Sequence, residues 1–329
     1  PDGARGAEQA SIWDHVERAL GVISDRVIPG TRLAAYGHGD WNDSLQPAQP
    51  AMAEQLCSTW TVTLHYQALR SLSAALYRLG MKDQGDRMAT LAAGVEKDFR
   101  RLLIKDEILP GYAYFLESGR IDYLLHPADH ATGVSYSLLP MIHAVIADLL
   151  TPEEAERHLD LIRSHLLGPD GARLFARPTE YRGGPQRFFQ RAESAAFFGR
   201  EVGLMYTPAH LRYAGALAHC GDVAGFFLAL CQVNPIAIQS IVPSATLRQA
   251  NCYYSSSDAA FRDRYQAYEE YDRIHKGEIP LDGGWRVYSS GPGIAVRLIV
   301  EYFLGLCPWK TRLIIAPVIP PALDGLRVE

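Results

Sequence analysis

The chain has 329 residues, of which 48% are hydrophobic and 21% are charged, and its formal net charge is −5. This composition is ordinary for a globular protein with a large core. The net negative charge provides no basic field that would attract nucleic acid or an anionic membrane surface. No run of about 18 apolar residues is present that could span a bilayer. We therefore expect neither nucleic acid nor a membrane as a partner.

The cysteines and the ends of the chain suggest the cellular compartment of the protein and whether the chain is a fragment. The five cysteines form no CxxC pair, which is typical of reduced thiols, and the first 30 residues contain no apolar segment of a signal peptide. We therefore expect a cytoplasmic protein. The chain opens without a methionine and closes on a β-like run at residues 313–319, so we also expect a fragment of a longer polypeptide.

Apolar residues recur at steps of three and four, which predicts helices along most of the chain. The predicted helices cover residues 7–27, 54–79, 84–103, 135–150, 151–167, 207–220 and 294–304. The start of the fifth is specified by a capping box, with Thr151 as N-cap, Pro152 at the first helical position and Glu154 reaching back. No strand alternation is evident before Arg312. The pattern predicts an all-α toroid of helix hairpins, with a β element beginning only at the C-terminus.

The long loops between these helices hold the candidate chemistry, because long loops in compact domains are usually functional. In the first, GHGDWND (residues 37–43) places carboxylates beside a tryptophan. A carboxyl group that an indole shields from water has a raised pKa and can act as a general acid near neutral pH. The alternative is an Asx-turn, in which Asp40 and Asn42 bond their own backbone. Spacing alone does not decide between the two.

The second candidate is SSGPGI (residues 289–294), in which small residues lead into a helix. The backbone N–H groups of a helix start can bind an anion such as phosphate, and Ser289 and Ser290 could add hydroxyl donors. The alternative is that the serine is a helix cap and the glycines only form the turn.

The third candidate is REVGLMYTPAH (residues 200–210). Arg200 and Glu201 could bond sugar hydroxyls, and His210 could face an anion. They could equally be a surface ion pair and a solvent-facing histidine. The other histidines form no HExxH or similar spacing, so no metal site is indicated. Walker, GxSxG and complete GxGxxG motifs are absent, and no cofactor is expected.

Three blocks in the same order resemble glycoside hydrolase family 94, the inverting β-glucoside phosphorylases. The blocks are DWND after a glycine pair, REVGLMYT, and WRVYSSGPGIAVRLIVEYFLGL followed by IIAPVIPPALDGL. GHGDWNDSLQPA and NCYYSSSDAAFRDRYQA look most like the members that act on β-1,2-linked, sophorose-type oligoglucans. The resemblance implies that residues 1–308 are most of an (α/α)6 catalytic barrel and that residues 309–329 begin a C-terminal β element.

The resemblance also implies a mechanism and its residues. Asp43 would be the general acid and Trp41 would shape the sugar site, while inorganic phosphate would attack the anomeric carbon from the opposite face and give an α-sugar 1-phosphate. Arg200 and Glu201 match substrate-binding positions. Ser290 and Gly291 match a phosphate-binding Thr-Gly pair. The family's phosphate-binding histidine is replaced by Pro208, and His210 is its nearest substitute.

The expected function is therefore reversible phosphorolysis of β-linked gluco-oligosaccharides, with oligosaccharide and phosphate as partners, no further cofactor and a possible homodimer. Two alternatives remain. One is an inverting hydrolase, in which Asp43 acts with a second carboxylate such as Glu193 or Glu201 across about 6.5–9.5 Å. The other is a non-catalytic carbohydrate-binding helical domain.

Overall fold

The computed structural model describes residues 10–37, 39, 45–194, 204–284, 286, 290–309 and 311–327. In this part of the chain the helices are α1 Ile12–Ser24, α2 Met52–Gln55, α3 Thr59–Arg78, α4 Lys82–Leu102, α5 Leu138–Ile146, α6 Pro152–His165, α7 Gln190–Ser194, α8 Thr207–His219, α9 Val223–Gln232, α10 Ile238–Ile241, α11 Arg264–Glu270 and α12 Ser290–Leu298. A single π-helical turn, Ile299–Phe303, continues α12.

The longer helices form two layers. Helices α3, α5, α8 and α12 pack against one another in that order, and α4, α6 and α9 pack against α3, α5 and α8 respectively. The inner helices α5 and α8 are buried along nearly their whole length, whereas the outer helices α4 and α6 bury one stripe only. A helix that is apolar on all sides belongs inside a protein, and an amphipathic one belongs at its surface. The predicted helix hairpins are therefore present.

The turns of these hairpins follow local rules. The capping box of α6 is formed as predicted, since the Thr151 side chain accepts a hydrogen bond from the Glu154 N–H and the Glu154 carboxylate accepts one from the Thr151 N–H. Helix α8 ends at a turn in which Gly221 has φ +77°, a conformation that favours glycine. Short turns of this kind make neighbouring helices antiparallel.

The prediction that the chain is all-α before Arg312 is wrong. The strands are β1 Leu56–Ser58, β2 Tyr112–Phe115, β3 Ile121–Leu124, β4 Leu167–Gly168, β5 Gly171–Ala172, β6 Leu204–Tyr206, β7 Ser256–Ala259, β8 Leu281–Gly283, β9 Leu306–Trp309 and β10 Arg312–Ile315. They form two three-stranded sheets, β1–β2–β3 and β6–β7–β8, and two hairpins. Strands of two to four residues are too short to show an alternation of period two, which is why the sequence did not reveal them.

Both three-stranded sheets lie where inner helices begin. Strand β1 runs directly into α3 and β6 runs directly into α8. The starts of α5 and α8 are also close together, because the Leu138 N–H donates to the Leu174 carbonyl while His210 of α8 contacts Ala172. The fold therefore collects the loops at the N-terminal ends of the inner helices. None of the helices described is long and apolar enough to cross a membrane.

Candidate functional site

The loop that contains the predicted acid is held at both of its ends. Trp41 and Asp43 themselves lie outside the described residues. On the entry side, the Gly37 N–H donates to the Ala53 carbonyl at 2.9 Å. On the exit side, the Gln190 N–H donates to the Gln46 carbonyl at 2.8 Å. The chain on either side of the predicted acid is thus fixed beside the start of α3.

A cavity of about 620 Å³ opens between these two ends. Its lining contains acidic and amide side chains together with apolar ones, and the polar members include Asp25, Gln46, Glu54 and Gln190. Cavities of this size and mixed lining commonly bind small molecules. Its lining residues Gly37 and Gln46 flank the predicted acid in the sequence, which makes the cavity a candidate sugar-binding space.

Glu193, the possible second carboxylate of a hydrolase, is hydrogen-bonded to the backbone through both of its oxygens. It is only 7% exposed, and its two oxygens accept hydrogen bonds from three successive N–H groups, those of Arg187, Phe188 and Phe189, at 2.7 to 2.8 Å. A general base must have a lone pair directed at its water. The bonds to Glu193 instead close the turn that enters α7.

The sheet β6–β7–β8 connects the other two predicted segments. Arg200 and Glu201 lie outside the described residues, immediately before β6, and β8 leads towards Ser290 and α12. Strand β7 is central and antiparallel to both neighbours. The two predicted segments are therefore adjacent in sequence to the two outer strands of one sheet, and β6 leads directly into α8.

The start of α12 is covered by a tyrosine. Gly291 is buried, and a Cβ added there would overlap the hydroxyl oxygen of Tyr253. Only glycine fits this position without displacing the ring, and the buried hydroxyl has no hydrogen-bond partner among the described residues. Ser290 is the first residue of the helix, and its side chain lies outside the described part of the structure.

His210 does not have the surroundings expected of a phosphate ligand. It is fully buried on α8, its Nδ1 accepts a hydrogen bond from the Ala172 N–H at 2.9 Å, and its Nε2 lies 2.9 Å from the Ala229 carbonyl oxygen. Burial lowers the pKa of the ring to about 4, so it is neutral at pH 7. Both nitrogens are used within the fold, and His210 is therefore left out of the proposed site. Pro208 occupies the first turn of the same helix.

The sequence analysis missed Asp258 on β7. Burial, together with the nearby carboxylates of Asp282 and Asp170, raises the pKa of this carboxyl to about 6. Its Oδ1 is buried without a hydrogen-bond partner among the described residues. The signal in the sequence is the run Tyr-Tyr-Ser-Ser-Ser-Asp at residues 253–258, which is polar where a central strand would normally carry apolar side chains.

Within the described part of the chain, no group of three or more histidine, cysteine, aspartate or glutamate side chains could hold a metal ion. The five cysteines, all of them in described segments, form no disulfide. One of them, Cys57, is buried in β1, where burial raises its pKa well above the usual range for a thiol.

Comparisons with known proteins identify relatives of the chain. No protein-family model matches it. It is 44% identical over 321 residues to a 1,2-β-oligoglucan phosphorylase of Listeria innocua serovar 6a, a match that covers 97% of this chain and 29% of the relative. The chain thus spans less than a third of the length of that curated protein.

One of two compared solved structures shares the fold at low sequence identity. A structure titled "Sialidase" superposes with a TM-score of 0.55 at 12% identity, over 93% of this chain and 25% of that one. A cellobiose 2-epimerase from Bacillus thermoamylovorans gives a TM-score of 0.39 at 11% identity over 76% of this chain and 62% of that one, which is too low to support a conclusion. The first comparison supports a similar fold only.

The sequence match supports the resemblance seen in the three motif blocks. An identity of 44% sustained over nearly the whole chain is the outcome expected from them, and it confirms the resemblance that they predicted. The chain is similar, over nearly its whole length, to a segment of that 1,2-β-oligoglucan phosphorylase.

Proposed function

We propose that the intact protein is an inverting glycoside phosphorylase of family 94 that reversibly converts β-1,2-linked gluco-oligosaccharides and phosphate into α-glucose 1-phosphate and a shortened oligosaccharide. The observation that carries the proposal is the 44% identity to a 1,2-β-oligoglucan phosphorylase over 97% of the chain. Because the chain spans 29% of that relative, the activity is proposed for the whole protein. The helix layers are proposed to be part of an (α/α)6 toroid.

Asp43 is the proposed general acid. It would protonate the glycosidic oxygen as the bond to the anomeric carbon breaks, while Trp41 packs against the sugar. The fixed ends of the acid loop and the adjacent cavity of about 620 Å³ support this assignment, since general acid catalysis needs a carboxyl held against bound substrate.

Phosphate is the proposed nucleophile, and its proposed binding place is the start of α12. The N-terminal end of a helix carries unpaired N–H groups and a partial positive charge, which stabilise a bound anion. Ser290 and Gly291 would supply the first donors, and Arg200 and Glu201 would hold the sugar. An attacking phosphate is already anionic, so the reaction needs no second carboxylate to activate it. The commitment of Glu193 to three backbone N–H groups is consistent with this mechanism.

The test is to incubate the intact protein with a β-1,2-linked glucotriose, with and without inorganic phosphate, and to quantify glucose 1-phosphate and free glucose. We expect glucose 1-phosphate only when phosphate is present. Asp43→Asn should lower the rate by at least about a thousandfold, a loss of roughly 4 kcal/mol of transition-state stabilisation. Asp83→Asn, which changes an exposed carboxylate on α4, is the matched control and should retain full activity. Equal glucose release without phosphate would instead establish a hydrolase.

A further inference from the structure

Strand β7 and the residues before it carry an unusual set of polar atoms. Four side chains in a stretch of six residues have a buried oxygen with no hydrogen-bond partner in the described part of the chain. These oxygens are Tyr253 Oη, Ser255 Oγ, Ser256 Oγ and Asp258 Oδ1. Buried polar groups in proteins are almost always paired, so such a concentration requires an explanation. A bound ligand that completes the hydrogen bonds is one of the few explanations available.

We propose that Asp258 and Ser256 form a hydroxyl-binding site for the glucosyl unit of the substrate. Side chains two apart on a strand lie on the same face, so Ser256 and Asp258 act together. A Cβ added at Gly284 would overlap Ser256 Oγ and would lie 2.8 Å from Asp258 Oδ2, which places both side chains against the segment that leads to α12. The proposal rests on the proposed phosphorylase function.

Ser256 and Asp258 lie close to segments that the proposed mechanism uses. Their neighbour on the same stretch, Tyr253, reaches Gly291 at the start of α12. On the other side, Asp258 pairs in register with Leu204 of β6, directly after the segment that contains Arg200 and Glu201. The stretch that carries Ser256 and Asp258 therefore contacts the helix start proposed for phosphate and pairs with the strand that follows the segment proposed for sugar.

The chemistry of the pair favours a sugar over an anion. Asp258 forms no ion pair with any residue that the structure describes, and a nearby buried cation, Arg173, is bonded to Asp170 at 2.7 Å. An unpaired carboxylate repels phosphate and accepts hydrogen bonds from hydroxyl groups. Serine hydroxyls can donate or accept. Vicinal hydroxyls of a glucosyl ring supply the donors that Asp258 Oδ1 lacks.

The experiment compares Asp258→Asn with Asp282→Asn in the intact protein. Asp282 is the register partner of Asp258 on β8 and is exposed, so the control removes the same charge from an adjacent position. We expect Asp258→Asn to lower kcat/KM for the β-1,2-linked glucotriose at least about tenfold while KM for inorganic phosphate changes less than about twofold. Asp282→Asn should match the wild type. Equal kinetics in both variants, as expected if only structural water completes the hydrogen bonds, would overturn the proposal.

A second variant and a binding measurement distinguish a folding defect from a loss of sugar binding. Ser256→Ala removes one hydroxyl and keeps the strand, and it should lower kcat/KM for the same sugar severalfold without lowering Tm. Calorimetric titration of the glucotriose into wild type and Asp258→Asn should show weaker binding by the variant. Unchanged sugar affinity would contradict the proposal. An inactive wild-type protein that still binds the sugar through Asp258 would refute the phosphorylase function and leave this site standing.

Discussion

Two carboxylates in this protein, buried Glu193 and half-buried Asp258, have opposite surroundings. Glu193, at the turn that enters α7, accepts three backbone N–H bonds, which occupy most of its lone pairs. Asp258, on the central strand β7, has a buried oxygen with no partner among the described residues. The first carboxylate stabilises a turn, and the second is maintained although an unpaired buried charge destabilises the fold. Burial alone therefore does not mark a functional acid, and the oxygen of Asp258 that lacks a partner in the described part of the chain is the observation that supports the binding role proposed for it.

The largest expected loss of stability comes from removing Glu193, the carboxylate that is hydrogen-bonded to the backbone. Glu193→Ala leaves three N–H groups of the 187–189 turn without an acceptor, and buried unpaired groups cost about 1–3 kcal/mol each. We expect the free energy of unfolding of the intact protein to fall by about 3–5 kcal/mol in urea titrations. Glu117→Ala, at an exposed turn between β2 and β3, is the control and should change little. A stable Glu193→Ala variant with impaired hydrolysis or phosphorolysis alone would show that Glu193 belongs to the chemistry.

A smaller loss of stability is expected from Gly291→Ala, which adds a methyl group next to the hydroxyl of Tyr253, a group that is unpaired among the described residues. Gly291→Ala forces a methyl group onto the Tyr253 hydroxyl, and overpacking of this kind costs about 1–3 kcal/mol. Because the clash lies at the proposed phosphate site, KM for phosphate should rise. Tyr253→Leu removes both the hydroxyl and the neighbouring ring carbon that the methyl group would meet, so the double variant should recover part of the stability lost in Gly291→Ala. Failure of the double variant to recover any stability would mean that the clash is not what limits this position.

The smallest expected change in stability comes from Asp258→Asn, and it is a gain of stability where the other two variants lose it. The pKa of Asp258 is about 6 in the folded protein, compared with about 3.9 in an unfolded chain. Ionisation therefore destabilises the folded state progressively as pH rises from about 4 to about 6. Its neighbours Asp282 and Asp170 add to this penalty and Arg173 opposes it.

At pH 7.5 we accordingly expect Asp258→Asn to be as stable as the wild type or more stable by about 1 kcal/mol, and at pH 4 the difference should vanish. Thermal unfolding at both pH values measures this, with Glu117→Gln, at the exposed turn between β2 and β3, as the control. A variant that is less stable than the wild type at pH 7.5 would show that Asp258 is a structural residue like Glu193.

The helices could be predicted well from the sequence, and the site only in outline. The capping box at Thr151 and the apolar periodicity of α3 and α4 are local signals, and they indicated the correct elements. Helix α9 was not predicted, because VAGFFLALCQ is too uniformly apolar to show a stripe. The strands of β6–β7–β8 were not predicted either, since their pairing depends on segments far apart in the chain.

The residues of the candidate site could likewise be predicted only where the signal is contiguous in the sequence. The motif at Ser290 and Gly291 could be recognised because it is contiguous. The role of His210 could not be judged from sequence, because its two hydrogen-bond partners come from β5 and α9. Asp258 is distinguished by a buried oxygen without a partner, and that property exists only once the chain is folded.

The gathering of the motif-bearing loops at the starts of the inner helices has an evolutionary consequence. The helices pack through side chains that point away from these loops, so substitutions in the loops leave the helix layers unchanged. Homologues can therefore diverge in the linkage or chain length they prefer while keeping one scaffold. Sequence differences that track substrate preference should concentrate in residues 38–44, 195–203 and 284–291, and differences between the inner helices should track thermal stability instead.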